Sequence, residues 1–227
     1  PRTVADAWAA MEECGDLTIT GSDLKSAKGA TLVKSLQTLS EELTNFEQTE
    51  EHEGLQSCAE ALGDAKLLRH KDPEVKLLTA CCVSDVLRIY APDTPYSPDT
   101  LKNVFEVLIQ QLNGVRDPKG GSFSRYFYLL ERLAMVKSFV LMIDLECQDL
   151  IESLFEVLFD VTSKEHGVRV EGFLLEILVG IIEDLDAVPP PPDTAQLRRS
   201  VPSHRRLPVS QGGGERGDRV DAGLRAA

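Results

Sequence analysis

The sequence has few of the residues that carry enzyme chemistry or cross-link a fold. Its 227 residues include only four histidines, one tryptophan and an odd number of cysteines. No CxxC, HExxH, GxSxG or GK[S/T] motif is present. We therefore predict no catalytic residue, no cofactor and no metal site, and we expect the cysteines to be small core residues in a reducing compartment. The five are Cys14, Cys58, Cys81, Cys82 and Cys147.

One enzyme class stays open as an alternative, a hydrolase built on an all-helical scaffold. Such an enzyme needs a concave cluster of titratable groups with perturbed pKa values. The sequence also has no apolar run near the ~20 residues that span a bilayer and no opening secretory pattern. We expect a soluble, intracellular protein. Because the chain begins with Pro rather than Met, we expect a fragment or a processed product.

The negative charge of the chain is unevenly distributed. The formal net charge is −13. From Pro189 onward there are seven arginines and four acidic residues, so residues 189–227 carry +3 and residues 1–188 carry −16. DNA affinity depends largely on neutralising phosphates with Lys and Arg, so a general nucleic-acid groove is disfavoured. An acidic surface instead suits a partner segment with basic residues, or serves only solubility.

The segment from His70 to Tyr96 predicts an amphipathic helix that ends at a proline-rich corner. Asp72 is an N-cap residue and Pro73 occupies the first helical position, where a missing N–H does no harm. Ala91-Pro92 ends the helix. The apolar residues that recur at helical spacing are Val75, Leu78, Cys82, Val86 and Ile89. An Asp-Pro opening of this kind is typical of HEAT repeats.

Apolar spacing and helix breakers predict further helices and no strand. We expect a short helix over residues 3–13, a loop from Leu17 to Gly29 and a helix marked by Leu32 to Phe46. The remaining predicted helices are Leu55 to Leu67, Val104 to Leu112, Ser124 to about Ile143, Gln148 to about Thr162, and His166 to about Asp184. The last is apolar on several faces and should be covered on both sides. The fold class is all-α, either a HEAT-like stack or a plain multi-helix bundle.

Two strings resemble one protein family. The strings ACCVSDVLRIYAPDTPY (80–96) and RYFYLLERLAMVKSF (125–139) are similar to the Pds5 family of cohesin regulators. The resemblance covers His70 to Val188, with Thr94 in place of the alanine of the family's APDAPY corner. It implies an all-α, HEAT-like α-solenoid of antiparallel helix pairs. We divide the chain into a poorly defined segment 1–30, a helical domain 31–188 and a disordered tail 189–227.

The resemblance also implies a function and partners. Pds5-type proteins are nuclear scaffolds that regulate sister-chromatid cohesion through the cohesin kleisin subunit, a Wapl-type release factor and a cohesin acetyltransferase. The prediction for this chain is accordingly a non-enzymatic scaffold that docks peptide segments. The alternative is a cytoplasmic α-solenoid adaptor of trafficking or translation with the same fold and other partners.

Two places are candidates for partner binding. The first is the corner with Pro92, Asp93, Pro95 and Tyr96, because a stiff loop lowers the entropy cost of binding; its alternative role is a rigid turn with Tyr96 packed inside. The second is the aromatic helix start with Arg125 and Tyr126, together with Lys137 further along. Three consecutive aromatics cannot share one helix face, so at least one of Tyr126, Phe127 and Tyr128 should be partly exposed. Core aromatics and snorkelling surface cations are the alternative.

Deleting residues 189–227 tests the predicted domain division. The segment is rich in Pro, Gly and Arg and has almost no periodic apolar residues, so it cannot add to a packed core. We expect the shortened chain to keep its melting temperature and its partner binding, measured by circular dichroism and peptide titration. Lost binding after the deletion would contradict this view of the tail.

Overall fold

Helices joined by short connections form the structure, a computed structural model that describes residues 17–48 and 53–187. These residues contain ten α-helices and no strand. The helices are α1 (Gly21–Ser26), α2 (Ala30–Asn45), α3 (Glu53–Leu62), α4 (Ala65–Leu68), α5 (Pro73–Tyr90), α6 (Pro98–Leu112), α7 (Phe123–Val136), α8 (Leu141–Asp144), α9 (Gln148–Val161) and α10 (Val168–Ala187). Two 3₁₀ turns, Asn113–Arg116 and Ser138–Val140, follow α6 and α7. Within the described ranges, no helix has the length and apolar character needed to cross a membrane.

The longer helices alternate between two rows along the chain. One row contains α2, α5, α7 and α10, with each helix packed on the next. The other contains α3 with α4, then α6 and α9, and α6 contacts both α5 and α9. Neighbouring helices in the sequence thus form pairs, and the pairs stack. This is the antiparallel stacking expected of a HEAT-like α-solenoid, and the all-α prediction is confirmed.

Helix α5 is the centre of the stack. Asp72 caps it by accepting a hydrogen bond from the Glu74 amide, and Pro73 takes its first position, as predicted. Its predicted apolar stripe is buried, and so are Leu77, Ala80 and Cys81 on other faces. The helix is therefore covered all round, because α2 and α7 pack on it from one row and α3, α4 and α6 from the other.

The cysteines of the described ranges are core residues, as the sequence predicts. Cys58, Cys81, Cys82 and Cys147 are buried free thiols, whereas Cys14 lies outside the described residues. Burial raises the pKa of Cys58 to about 11 and that of Cys81 to about 12. Both thiols are therefore protonated near neutral pH, and a protonated thiol is a poor nucleophile.

Two predicted helices are each divided in the structure. The helix expected from Leu55 to Leu67 ends at Leu62, and Asp64 starts α4 by accepting a hydrogen bond from the Lys66 amide at 2.7 Å. The helix expected from Ser124 to Ile143 stops where Lys137 adopts a left-handed conformation with φ of 53°. The break turns Phe139 into the core, where its ring lies 5.9 Å from that of Phe105.

The predicted loop from Leu17 to Gly29 contains the short helix α1. Thr20 and Asp23 form a capping box at its start, which satisfies two backbone amides that would otherwise lack partners. Leu24 is buried and anchors the helix. Helix α1 itself has only one large apolar residue, which gives no periodic pattern, and this is why sequence spacing misses the helix. The predicted helix 3–13 and the tail 189–227 lie outside the described residues.

Helix α10 is less covered by other helices than the sequence predicts. Val170, Leu174, Ile177 and Ile181 are buried against α7 and α9. On the other face, the exposed fractions of Val168, Leu175, Val179 and Ile182 are between 48% and 85%. The expectation that this helix is covered on both sides is wrong for the part of the chain that the structure describes, since no described element packs on that face.

Gly21 and Gly54 provide a matched test of the packing of α1 on α3. A methyl group on buried Gly21 would overlap the Ser57 carbonyl, whereas one on Gly54 would meet nothing within 4 Å. We expect Gly21→Ala to lower the free energy of unfolding by about 1–3 kcal/mol or to release α1 locally. Gly54→Ala should raise it by about 0.5–1 kcal/mol, because alanine is the better helix former. Urea denaturation and hydrogen exchange of α1 measure both; equal effects of the two variants would contradict the close approach.

Candidate partner-binding groove

A groove of about 220 Å³ lies on the surface between α2 and α7, above α5. Leu78 and Cys81 of α5 form its floor. Its walls are otherwise rich in hydroxyl groups and carry one cation and one anion. The wall residues are Ser40, Glu41 and Thr44 on α2 and Ser124, Arg125 and Tyr128 on α7. We call this site the Arg125 groove.

Arg125, one of the residues predicted for partner binding, lies at one end of this groove. Its Nη1 atom is 3.0 Å from Oε1 of Glu74 on the first turn of α5. The side chains keep 36% and 46% of their surface exposed. An ion pair this exposed contributes little to stability, about 0–1 kcal/mol. Arg125 can therefore exchange Glu74 for a carboxylate of another molecule at small cost.

A buried polar network lies directly beneath the groove. The Asp85 side chain of α5 has no exposed surface. The Tyr128 hydroxyl donates to Asp85 Oδ2 at 2.7 Å, and Nε atoms of Arg88 and Arg132 each lie 3.5 Å from Oδ1. The Tyr128 hydroxyl also lies 2.9 Å from Thr44 Oγ1 on α2. One carboxylate thus connects α2, α5 and α7.

Burial controls the protonation of the groups in this network. It raises the pKa of Asp85 above its ordinary value, although the Tyr128 hydroxyl, Arg132 and Arg88 oppose that shift. Burial and the hydrogen bond to Asp85 raise the pKa of Tyr128 to about 12, so the phenol remains a donor near neutral pH. With Cys81 also protonated, the groove offers hydrogen bonding and ion pairing rather than an activated nucleophile.

The polar stripe of α5 continues toward the proline-rich corner. Arg88 donates from Nη2 to the Leu43 carbonyl at 2.7 Å. Gln48, just beyond α2, donates to the Arg88 carbonyl at 2.7 Å. One face of α5 carries Glu74, Cys81, Asp85 and Arg88, because these positions follow one another at the spacing of helical turns. This face runs beneath the seam between α2 and α7.

The corner combines an exposed tip with a buried support. The Ala91-Pro92 peptide is cis; Pro92 and Asp93 are exposed and Pro95 is partly buried. Tyr96 is only 7% exposed, and its hydroxyl has no hydrogen-bond partner among the described residues. Its ring lies against Gly63, where an added methyl would come within 2.9 Å of Cε1. Of the two alternatives, Tyr96 is the packed one, so it supports the corner from inside and is not a free contact residue in this structure.

Tyr126 and Lys137 lie away from the groove. The Tyr126 ring is partly buried and covers Gly114, where an added methyl would overlap the ring. Lys137 is exposed at the other end of α7, beside α10, in a small cleft with Glu176 and Gly180. As predicted from their consecutive positions, the three aromatics are not all buried, since Tyr126, Phe127 and Tyr128 are each partly exposed.

The predicted residues do not form one site. The 18 residues of α5 rise by about 27 Å, and Arg125 lies at the start of that helix while the corner follows its end. The groove also contains Glu41, Thr44 and Tyr128, which the sequence does not single out as binding residues. The sequence signal for the network is Asp85, an acidic residue inside a largely apolar run. The sequence spacing gives no connection between Asp85 and Tyr128 in the aromatic cluster.

Stacked helix pairs that pack into two rows define this structure as an α-solenoid. The family model described as "Sister chromatid cohesion protein PDS5 protein" matches residues 30–192, which is most of the chain. The chain belongs to the Pds5 family of sister chromatid cohesion proteins. The resemblance seen in the two sequence strings is confirmed.

Relatives and a solved structure agree with this assignment. PDS5 homolog B-B of Xenopus laevis is 37% identical over 180 residues, which cover 78% of this chain and 12% of the relative. PDS5 homolog A of Homo sapiens is also 37% identical over 180 residues, which cover 78% of this chain and 14% of that relative. A chain of the solved structure described as "Structure of the Pds5-Scc1 complex and implications for cohesin function" is 33% identical, with a TM-score of 0.65, over 72% of this chain and 25% of that one. The chain therefore spans a small part of the length of these relatives.

Two substitutions at Asp85 separate the electrostatic from the packing role of the network. A carboxyl whose pKa is raised in the folded state contributes stability below its unfolded pKa, near 3.8, and loses that contribution as the pH rises through the folded-state pKa. Asp85→Asn resembles the protonated group and still accepts from Tyr128. We expect the free energy of unfolding of Asp85→Asn to stay within about 1 kcal/mol of the wild-type value at pH 7. The difference in free energy of unfolding between this variant and the wild type should become smaller as the pH is lowered toward 4.

Asp85→Ala is the matched comparison, because it removes the acceptor of the Tyr128 and Arg88 hydrogen bonds and the carboxylate that forms an ion pair with Arg132. We expect a loss of about 2–4 kcal/mol in urea denaturation. If Asp85→Asn is as damaging as Asp85→Ala at pH 7, the ion pairs outweigh desolvation and the stated pKa direction is wrong.

Proposed function

We propose that this chain is a non-enzymatic, nuclear scaffold that associates with cohesin and regulates sister-chromatid cohesion by docking peptide segments. The observation that carries the proposal is the Arg125 groove, an open site on a rigid helical stack with an exchangeable cation at one end. Its hydroxyl groups can bond a peptide backbone, and Leu78 and Cys81 provide an apolar floor. The names of the relatives, which are sister chromatid cohesion proteins, support the biological role.

The partners we propose are segments of cohesin subunits and cohesin regulators. The similar solved structure is a complex of Pds5 with Scc1, and this supports the kleisin subunit as a partner. A Wapl-type release factor and a cohesin acetyltransferase follow from the family resemblance. This chain matches 25% of the chain in that complex, so the segment it binds need not be the one that a longer family member binds.

The charge of the site restricts the chemistry of the segment. Arg125 and Glu41 belong to opposite walls of the groove, so a bound segment places an acidic side chain toward α7 and a basic one toward α2. A small apolar side chain between them fits above Leu78 and Cys81. The net charge of −16 over residues 1–188 favours additional basic residues outside the groove and speeds the encounter.

An extended segment can also reach the corner. About eight residues at ~3.3 Å each span the ~27 Å length of α5. A segment anchored at Arg125 and lying along the seam between α2 and α7 would thus end near Pro92, Asp93 and Pro95. The buried Tyr96 ring and the network under Tyr128 hold the two ends at a fixed separation. Lys137 and Tyr126 contribute only if a partner is large enough to contact the α10 and α6 sides of α7.

If a bound peptide replaces Glu74 as the partner of Arg125, substitutions of these two residues should change peptide affinity in opposite directions. The probe is the tightest-binding peptide from a set tiled across the kleisin and the Wapl-type factor. Arg125→Glu should weaken the binding of this peptide by about 10-fold or more, because the substitution replaces attraction by repulsion. Glu74→Gln should strengthen the binding of the same peptide by about two- to fivefold, because it removes the Glu74 carboxylate that competes for Arg125. Fluorescence polarisation with the full chain measures both affinities.

Arg116→Glu is the control for this experiment. Arg116 is also an arginine in an exposed ion pair, with Asp160, but it lies on the 3₁₀ turn after α6. We expect it to leave peptide affinity unchanged. Affinity that falls equally in the Arg125 and Arg116 variants reflects net charge alone, and affinity that falls in Glu74→Gln contradicts the proposed exchange.

A further inference from the structure

A second surface of the described residues has the opposite charge to the rest of the helical domain. Lys66 at the start of α4 donates from Nζ to the Lys25 carbonyl in the last turn of α1, at 2.7 Å. This contact places the end of α1 and the loop after it, with Lys28, beside α4 and the turn that follows it. That turn carries Arg69 and Lys71. All five side chains are exposed, and we call them the basic patch.

The side chains of three acidic residues close to the basic patch in sequence accept hydrogen bonds from backbone amides. Asp23 accepts from the Thr20 amide at 2.9 Å, Asp64 from the Lys66 amide at 2.7 Å and Asp72 from the Glu74 amide at 2.9 Å. Each carboxylate therefore caps the N-terminus of a helix, where backbone amides and the helix dipole balance its charge.

The cations of the basic patch have few internal partners by comparison. Arg69 contacts Asn103 at 2.8 Å and Glu106 at 3.9 Å. Among the described residues, none of the four lysines has an ion-pair partner within 4.0 Å. Within the described residues, the patch thus contains four lysines without an ion-pair partner and one arginine in a long ion pair, in a region, residues 1–188, whose net charge is −16.

We propose that the basic patch is a docking surface for a short acidic protein segment. It is separate from the Arg125 groove, since its residues belong to α1, α4 and the adjoining turns. Lysine ammonium groups on flexible stems suit clustered carboxylates, because they do not impose the fixed fork geometry of arginine. Complementary charge of this kind increases the association rate and selects the partner.

The size and surroundings of the patch favour a peptide over a nucleic-acid duplex. A duplex carries a charge every ~1.7 Å along its axis and extends well beyond a surface of five side chains. Its flanks would lie within a Debye length, ~8–10 Å, of the acidic remainder of the domain and would be repelled. A short acidic segment contacts only the patch, so it gains the attraction without that penalty.

The test uses the full chain and a fluorescein-labelled decapeptide of alternating Glu and Ser, with a Gln-Ser decapeptide and a 20-base-pair DNA duplex as comparison probes. The patch variant is Lys25→Glu with Lys28→Glu, which leaves the Lys66 contact intact because that contact uses the Lys25 backbone. The matched control is Lys119→Glu with Lys164→Glu, two exposed lysines elsewhere with the same change in net charge. A tail variant changes Arg198, Arg199, Arg205 and Arg206 to Gln. Circular dichroism verifies folding of each protein.

We expect the wild type, the control and the tail variant to bind the Glu-Ser peptide with similar affinity, and the patch variant to bind it at least about 10-fold more weakly. The Gln-Ser peptide should not bind. The proposal is overturned if the patch variant binds the Glu-Ser peptide as tightly as the control does. It is equally overturned if only the tail variant loses binding, or if the duplex binds more tightly than the peptide through the same lysines.

Discussion

The buried carboxylate of Asp85 is the constraint on which the arrangement of the central helices depends. It lies in α5 with no exposed surface, and its contacts reach Tyr128 and Arg132 of α7. Through the Tyr128 hydroxyl it also reaches Thr44 of α2. Apolar packing between these helices tolerates small sliding movements, whereas a buried acceptor tolerates only the register in which its donors meet it. We infer that Asp85 fixes the register of the three helices more than it adds to their stability, because burial of the charge opposes the gain from its partners.

That register determines the surface on which partner recognition would occur. With α2 and α7 held apart above α5, Leu78 and Cys81 remain as the floor of a groove instead of being closed over. Arg125 and Glu74, one turn further along, stay solvent-exposed and weakly paired. At the α1 and α4 end, carboxylates are used as helix caps. Among the described residues, the lysines Lys25, Lys28, Lys66 and Lys71 there have no ion-pair partner. One acidic helical stack therefore offers two surfaces of different charge preference.

The sequence predicts the helices whose apolar residues repeat regularly, and the structure differs where one residue controls the local conformation. Helix α5 is predicted by Asp72, Pro73 and its apolar stripe, since capping and periodicity are local properties. The break at Lys137 is not predicted, because a left-handed lysine is selected by the burial of Phe139, a contact distant in sequence. For the candidate site, Arg125 is identified by its charge in an acidic domain. The groove around it is not, because Glu41, Thr44 and Tyr128 meet only after α2 and α7 pack on α5.

The most direct test of the proposed function is capture of cohesin by the full chain from nuclear extract, with bound proteins identified by mass spectrometry. The Arg125→Glu variant serves as the comparison, with folding of both proteins verified by circular dichroism. Recovery of cohesin subunits or a Wapl-type factor by the wild type, with much less recovered by the variant, is the predicted result. A folded wild-type chain that recovers none of them, or a variant that recovers them equally well, would contradict the proposal that this surface docks cohesin partners.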